Sequence, residues 1–375
     1  MTDRLTRIRA AMAEAGLDAL MVAAPHEENL GGDTRYYVAG FTGSAGVILI
    51  TPERAIFAAD FRYAEQASNE CVRRGFEVFR SEGKHTVWLP RLFGEAGLSG
   101  KRLGLTTRDM TYAGFLSIQD ALAEMAERDR PQVVPAPPIV EALRAQKDGQ
   151  ELAIIQRAID IADAAFDTLE ADLSPELTEV QVAGLFRRNV KFAGADDTSF
   201  DTIVAAGPHG AMPHAQPRSE PIGEGRPIVI DMGARYRHYC SDLTRTVVLG
   251  KPDTKFAEIY EVVFEAQRAA IQSIEVGMTG AQADAFARDY ITARGRGEQF
   301  GHGLGHGIGL QVHEAPQVGA TAENVLQEGM VFTIEPGIYI PGWGGVRIED
   351  IVILENGKPR VLSHASKTTP QEFEQ

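Results

Sequence analysis

The chain has 375 residues with 52 acidic and 37 basic side chains, and its formal net charge is −15. This length suggests two domains, and the excess of acid argues against nucleic acid or an anionic membrane as the main partner. With only two cysteines, no signal-peptide pattern and no apolar run near the ~18 residues that span a bilayer, a cytoplasmic protein is expected.

The first part of the chain, residues 1–130, alternates helix-like and strand-like segments, which predicts an α/β domain. The expected elements are a helix at 2–15, strands near 19–24, 46–50 and 55–59, and a helix near 61–74. The proline-rich stretch 131–148 is predicted to be a linker, because prolines interrupt both helix and sheet. A long helix starting near Gly149 would then open a second domain, 149–375.

This second domain contains an internal repeat. Residues 177–194 align without gaps to residues 278–295, and each segment predicts an amphipathic helix with a Thr N-cap and a Gly stop. The tetrapeptide His-Ala-Gln-Pro at 214–217 similarly matches His-Glu-Ala-Pro at 313–316. We therefore expect two similar halves packed about a pseudo-two-fold axis.

Each half ends in a predicted β-hairpin that carries two acids. If the first turn centres between Tyr236 and Arg237, then Asp231 and Asp242 are direct cross-strand partners, about 5 Å apart at Cβ. In the second hairpin, Glu335 and Glu349 lie symmetrically about Gly342, the first glycine of a Pro-Gly-Trp-Gly-Gly turn. Both pairs are expected to face the same central site.

Four clustered carboxylates predict a metal centre. Like charges at this distance repel, and a cation is the simplest way to neutralise them. With an imidazole added, the set is oxygen-rich and suits manganese, cobalt, iron or zinc. Such carboxylates typically hold two ions roughly 3.5–4 Å apart with a water between them as nucleophile. Solvated turn acids are the alternative, but symmetric pairs within apolar strands speak against it.

Seven segments of the sequence carry a resemblance to a known family. The stretch GHGLGHGIGLQVHEAP, with IDMGARYRHYCSDLTRT before it and FTIEPGIY and GGVRIEDIVIL after it, resembles the pita-bread metallopeptidases, the family of methionine aminopeptidase, aminopeptidase P and prolidase. The N-terminal GLDALMV, RYYVAGFTGSAGVILI and FAADFRYAEQA resemble the creatinase-type domain of aminopeptidase P and prolidase. The resemblance implies an α/β creatinase-type domain followed by an α+β pita-bread catalytic domain with an internal pseudo-two-fold repeat.

The resemblance also implies a set of metal ligands and a proton shuttle. Two divalent ions per chain are expected, with manganese as the first choice and cobalt, zinc or iron as alternatives. Asp231 would chelate one ion, Asp242 and Glu349 would bridge both, and His306 and Glu335 would complete the other shell. Glu335 would also transfer the proton during hydrolysis. His306 has no counterpart in the first half, so it would make the two positions different.

Five further residues are candidates for substrate contact by the same resemblance. His214 and His313 would hydrogen-bond the substrate and stabilise the oxyanion of the tetrahedral intermediate. His302, Tyr339 and Arg347 would line the proline pocket. The bland alternatives remain open: a loop histidine for His302, a core tyrosine for Tyr339 and a structural ion pair for Arg347.

The function that these residues favour is a proline-specific exopeptidase acting on peptides or dipeptides with proline at the second position. An Xaa-Pro aminopeptidase of the aminopeptidase P type is favoured over an Xaa-Pro dipeptidase, or prolidase, because the catalytic half lacks long insertions. A metal-free creatinase-like amidinohydrolase and a non-catalytic peptide-binding module are remoter alternatives, and the intact ligand set counts against both. A homodimer is expected.

Overall fold

The computed structural model describes residues 4–22 and 31–368 of the chain. It divides into two compact units, Met1–Arg144 and Ala145–Gln375. Each unit is described separately below.

The first unit is an α/β domain built on one six-stranded sheet, as predicted. Its elements are α1 (Arg4–Glu14), β1 (Ala19–Val22), α2 (Gly32–Ala39), β2 (Val47–Ile50), β3 (Ala55–Ala59), α3 (Ala64–Glu70), β4 (Glu77–Arg80), α4 (His85–Glu95), β5 (Arg102–Leu105), α5 (Tyr112–Ala123), β6 (Gln132–Pro135) and α6 (Ile139–Ala145). The strand order is β4-β3-β2-β1-β5-β6, with β1 to β3 antiparallel and the β1/β5, β5/β6 and β3/β4 pairs parallel. The three strands β1 to β3 are buried along their whole length, which explains their continuous apolar runs.

The predicted helix at 2–15 and strands of this unit are found, with small differences at their ends. The helix predicted at 61–74 is shorter and is followed by a 3-10 turn at Val72–Arg74. Residues 2–3 and 23–24 of the predicted helix and strand lie outside the described residues.

The prediction that 131–148 is a linker is wrong. Strand β6 pairs in parallel with β5 at the edge of the sheet, and α6 follows it directly. An edge strand tolerates proline because its outer N–H groups need no partner in the sheet. Pro131 directly precedes β6, Pro135 is its last residue, and Pro137 and Pro138 lie in the turn before α6. The first unit therefore extends to Arg144.

The second unit begins with the long helix predicted near Gly149. Its elements are α7 (Gly149–Asp172), α8 (Glu179–Phe192), β7 (Asp197–Thr198), β8 (Ile203–Ala206), β9 (Ile228–Met232), β10 (Ala234–Tyr236), β11 (Tyr239–Cys240), β12 (Leu243–Val247), α9 (Thr254–Ser273), α10 (Gly280–Ala293), β13 (Gly305–Gly307), β14 (Glu314–Val318), β15 (Val331–Ile334), β16 (Gly337–Ile340), β17 (Gly344–Arg347), β18 (Asp350–Glu355) and β19 (Lys358–Val361). The main sheets have the orders β12-β9-β8 and β14-β13-β15-β18-β19.

The internal repeat is confirmed. In each half, two helices bury their apolar faces in a core shared with the strands of that half. Helices α8 and α10 both start at a threonine, Thr178 or Thr279, whose hydroxyl accepts from the N–H of a glutamine 3.2 Å away, Gln181 or Gln282. Each glutamine side chain accepts in return from the threonine N–H at 2.8 Å, which closes a capping box.

The register of the second acidic hairpin is confirmed. Ile340 pairs with Gly344 and Gly337 with Arg347, so the ladder is centred on Gly342 as predicted. Gly342 has φ +78°, a conformation that favours glycine at the turn.

The register predicted for the first acidic hairpin is wrong. Tyr236 pairs with Tyr239, so the turn centres one residue later than predicted, between Arg237 and His238. Both turn residues have positive φ, 48° and 73°, as in the tight two-residue turns that usually contain Asn-Gly. Arg-His is not a residue pair that is typical of such turns, so the sequence did not predict one here. Asp231 therefore lies opposite Thr244.

Candidate active site

The five predicted metal ligands come together although the sequence spreads them over more than a hundred residues. Asp231 lies near the end of β9, Asp242 directly precedes β12, His306 lies on β13, Glu335 directly follows β15, and Glu349 directly precedes β18. All five line one cavity of about 410 Å³. Because the turn of the first hairpin centres one residue later than predicted, Asp231 and Asp242 are diagonal neighbours across the strands. Side chains in that arrangement are still within reach of each other.

His306 lies close to two of the other predicted ligands. Its Nε2 lies 3.2 Å from Glu335 Oε1 and 3.7 Å from Asp242 Oδ2. One ligand atom each from Asp242, His306 and Glu349 can be chosen so that all three lie within 4.8 Å of one another. This spacing suits a shared cation.

Unpaired carboxylate oxygens provide a test of whether the cluster fits divalent cations. Among the residues that the structure describes, Asp231 Oδ1, Asp242 Oδ1 and Glu349 Oε1 are buried without a hydrogen-bond partner. A buried polar atom without a partner is unfavourable by about 1–3 kcal/mol, and more if charged. Cations placed among these oxygens would satisfy them, so the residues present fit the divalent metals that this donor set selects.

Electrostatics of the cluster lead to the same conclusion. Burial, followed by the charges of neighbouring carboxylates, raises the pKa of Asp242 and of Glu349 well above the usual range. Burial alone would also raise the pKa of Glu335, but its hydrogen bond to His306 and the charge of that imidazole outweigh burial and lower it to about 2. In the absence of cations the cluster therefore favours protons on Asp242 and Glu349, which cations would displace.

Two threonines that the sequence interpretation missed hold the carboxylates in place. Thr244 Oγ1 donates to Glu349 Oε2 at 2.7 Å, and Thr333 Oγ1 donates to Glu335 Oε1 at 3.2 Å. Thr333 stands two positions before Glu335, and side chains two apart on a strand share a face. This spacing is the signal that could have found it.

The predicted substrate residues His302, Tyr339 and Arg347 form one hydrogen-bonded group. Arg347 Nη1 donates to Tyr339 Oη at 2.8 Å, and the Tyr339 hydroxyl lies 2.9 Å from His302 Nε2. His302 and Arg347 line the cavity, whereas Tyr339 stands behind them and is 8% exposed. Of the three, Tyr339 thus supports the cavity wall.

The hydrogen bonds fix the protonation of His302. Its Nδ1 lies 2.8 Å from the Gly303 carbonyl, which can only accept, so Nδ1 carries the proton. Burial raises the pKa of Tyr339 to about 12, so its phenol keeps its hydrogen and donates to His302 Nε2. Burial also lowers the pKa of His302, which favours this neutral form.

Arg347 is held by the acidic cluster. Its Nη2 donates to Asp231 Oδ2 at 2.6 Å, and its Nε donates to Thr244 Oγ1 at 3.0 Å. Because Thr244 in turn donates to Glu349, Arg347 reaches the Glu349 carboxylate indirectly, through the threonine hydroxyl. The geometry favours an orienting role for Arg347 in the acidic cluster.

The two histidines related by the repeat, His214 and His313, both line the cavity. The ring of His313 packs edge-on against His306, with centroids 4.2 Å apart. Burial, followed by the charge of His306, lowers the pKa of His313, so its neutral form is favoured.

The loop that carries His214 is anchored by Glu179, the first residue of α8, which the sequence interpretation did not select. Its buried carboxylate accepts from the N–H groups of Ala206 and Arg218 at 2.9 and 2.8 Å, and it lies 2.8 Å from His209 Nδ1. The helix N-terminus also favours the negative charge. One carboxylate therefore ties both ends of this loop to the helix.

Replacing Glu179 by alanine is expected to destabilise the protein by about 3 kcal/mol, a fall of roughly 6–12 °C in Tm, because the buried partners of the carboxylate lose their acceptor. Thermal unfolding at fixed metal content measures the change. Glu176→Ala is the matched control, since this exposed carboxylate accepts from Ser174 Oγ at 2.9 Å and from no other group among the residues that the structure describes. Equal Tm values for the two variants would show that Glu179 is not an anchor.

Comparisons with known proteins cover both units. The model of metallopeptidase family M24 matches residues 153–356, and that of the creatinase/prolidase N-terminal domain matches residues 4–146. An Xaa-Pro dipeptidase from Pyrococcus horikoshii is 38% identical over 366 residues, which cover 96% of this chain and 97% of that protein.

Two solved structures are similar over nearly their whole length. The Xaa-Pro dipeptidase from Bacillus anthracis is 40% identical with a TM-score of 0.88, covering 97% of this chain and 98% of that one. The X-Pro aminopeptidase from Thermotoga maritima is 34% identical with a TM-score of 0.85, covering 96% and 99%. Within the described residues, no helix is long and apolar enough to cross a membrane.

Proposed function

The chain belongs to metallopeptidase family M24, and from that premise we propose that it is an Xaa-Pro dipeptidase, which hydrolyses the bond between a first residue and a carboxy-terminal proline. The observation that carries the proposal is that relatives named Xaa-Pro dipeptidase match almost the full length of the chain. The sequence alone favoured the aminopeptidase P type. These relatives support the dipeptidase alternative better, although a structure named X-Pro aminopeptidase is also similar.

The cavity supports a small substrate with an apolar ring. Its volume of about 410 Å³ lies at the small end of the range of ~300–1,000 Å³ for ligand pockets. Besides the acids and histidines, apolar side chains line it, namely Phe200, Ile203, Pro213 and Val312. A cavity lined by apolar as well as hydrogen-bonding side chains suits proline, because its ring is apolar and its tertiary amide offers no N–H to a binding site.

The family implies divalent metals, and we propose two per chain, with manganese as the first choice. Asp231 would hold one, Asp242 and Glu349 would hold both, and His306 and Glu335 would hold the other. When bound, such ions activate water for attack and polarise the scissile carbonyl.

The side chains of the protein would supply positioning and proton transfer. Glu335 would take the proton from water and pass it to the proline nitrogen, which must be protonated to leave as an amine. His214 and His313 would hydrogen-bond the substrate and stabilise negative charge on the carbonyl oxygen. His302, fixed by Tyr339, would form part of the wall against the proline ring.

Substrate length tests the proposal most directly. We expect the manganese-loaded protein to cleave Ala-Pro with a kcat/KM at least about tenfold above that for Ala-Pro-Ala, or roughly 1.4 kcal/mol of differential transition-state binding. Ala-Ala should fall behind Ala-Pro by at least a similar factor, because alanine cannot fill a ring-shaped pocket. His302→Ala should reduce the preference for proline more than it reduces metal content.

The alternatives give different results in the same assay. Faster cleavage of Ala-Pro-Ala would establish the aminopeptidase P type, and equal rates on Met-Ala-Ser would remove proline specificity altogether. Protein purified without chelator that holds no metal would favour an amidinohydrolase or a non-catalytic binding module instead. The homodimer and the cytoplasmic location expected from the sequence remain predictions.

A further inference from the structure

The chain segments that carry Glu335 and Glu349 separate at the two acids. The ladder between β15 and β18 ends at the pair Ile334 and Asp350, and the β16/β17 ladder begins three residues further on, at the pair Gly337 and Arg347. Between them, the N–H of Glu335 donates to Leu304 O at 2.8 Å and that of Glu349 donates to Thr244 O at 3.1 Å. Each glutamate is thus hydrogen-bonded outward, away from its partner.

The side chain of Gln267 and one backbone hydrogen bond, from Ile348 N–H to Pro336 O at 3.4 Å, connect the two segments across this gap. Gln267 of α9 donates through Nε2 to Ile334 O at 2.9 Å and to Ile348 O at 3.1 Å. These carbonyls belong to the residues directly before Glu335 and Glu349. Because Gln267 is 1% exposed, water cannot readily replace the two bonds.

The orientation of the Gln267 amide is fixed by a buried ionic group. Lys367 Nζ donates to Gln267 Oε1 at 2.8 Å, and since an ammonium group only donates, the amide NH₂ must face the two carbonyls. Lys367 also pairs with Asp350, which accepts from Arg245 Nη2 at 2.9 Å. Arg245 Nη1 donates to Glu349 O at 2.6 Å, so the ionic group of Lys367, Asp350 and Arg245 also contacts the backbone of Glu349.

We propose that Gln267 is a positioning residue that sets the spacing of the Glu335 and Glu349 carboxylates for metal binding, and that Lys367 acts through it. The role rests on the proposed metal-dependent activity. It differs from simple stabilisation, because a buried glutamine that only satisfied two carbonyls would contribute to folding stability and nothing to metal affinity. Groups that orient metal ligands typically change metal affinity by about 10–100-fold when removed.

The test is Gln267→Met, which keeps the volume and removes all three hydrogen bonds. We expect calorimetric titration of metal-free protein with Mn²⁺ to show at least one cation bound about 10–100-fold more weakly than in the wild type. The visible spectrum of the Co²⁺-loaded variant should also change, because it reports ligand geometry. Gln156→Met is the matched control: Gln156 Nε2 donates to Leu362 O at 3.1 Å and to Asp160 Oδ1 at 2.9 Å, and neither partner lies in a segment that carries a proposed ligand.

A second pair of variants keeps the inference testable if Gln267→Met folds poorly. Lys367→Met should also lower the affinity for Mn²⁺. The double variant should bind Mn²⁺ as tightly as Gln267→Met alone, since both residues act through one amide. Additive losses would overturn the role of Lys367. Gln156→Met is expected to change the Tm alone. If Gln267→Met likewise lowers the Tm and leaves the Mn²⁺ affinity and the Co²⁺ spectrum unchanged, the positioning role is overturned. A wild-type chain that binds no cation would instead overturn the proposed function as well.

Discussion

Asp242→Ala and Glu349→Ala are each expected to abolish hydrolysis and to leave at most one weakly held cation per chain. Both side chains are buried at the centre of the cavity, and each presents an oxygen that no hydrogen bond satisfies. Alanine has no carboxylate that could bind two cations, so each variant would lack the negative charge that is proposed to hold both ions together. Metal content by mass spectrometry and turnover of Ala-Pro measure the two effects.

Stability separates this loss from unfolding. Burial and like charge already disfavour the ionised forms of these two acids, so the metal-free variants should be at least as stable as the metal-free wild type. Glu355→Ala is the matched control, because this exposed acid at the far end of β18 forms an ion pair with Arg360 at the surface, 2.6 Å away, and lies outside the proposed ligand cluster. A variant at Asp242 or Glu349 that kept two ions and near-normal turnover would refute the ligand assignment.

The ligand cluster was predictable because its signal is local. The symmetry of Glu335 and Glu349 about a glycine-rich turn placed them side by side, and the β16/β17 ladder has that register. The prediction for Asp231 and Asp242 failed in detail because Arg237 and His238 adopt positive φ without the usual turn residues. The two acids still share the cavity, since a slip of two residues keeps a side chain on the same face of the strand.

The supporting roles of Gln267 and Lys367 were not predictable, because nothing close in sequence marks them. Gln267 lies on a helix 67 residues before the carbonyl of Ile334, and a helical pattern shows only that its position is buried. Lys367 reads as an ordinary charged residue near the end of the chain, yet it reaches Gln267 across 100 residues. The space left beyond the proline ring, which separates dipeptidase from aminopeptidase, likewise depends on long-range packing.

Glu335→Gln is expected to lower kcat by roughly 10²–10⁴-fold or more while the variant stays folded. Glutamine keeps the size of the side chain, but its amide cannot accept a proton from water and carry it to the proline nitrogen. The same change weakens the metal shell, because an NH₂ group can replace the oxygen that lies 3.2 Å from His306 Nε2. Measuring kcat at full metal occupancy separates the two effects: a loss that persists when both ions are bound belongs to proton transfer.

Histidine variants complete this test, since His214 and His313 face the same cavity without the proposed ligand role. His214→Ala and His313→Ala should each lower kcat less than Glu335→Gln does, because each removes one hydrogen bond to the substrate while the ions remain. Their metal content should match that of the wild type. If both variants were fully active, the two histidines would be packing residues. If Glu335→Gln were no worse than either of them, proton transfer would have to be assigned to another group.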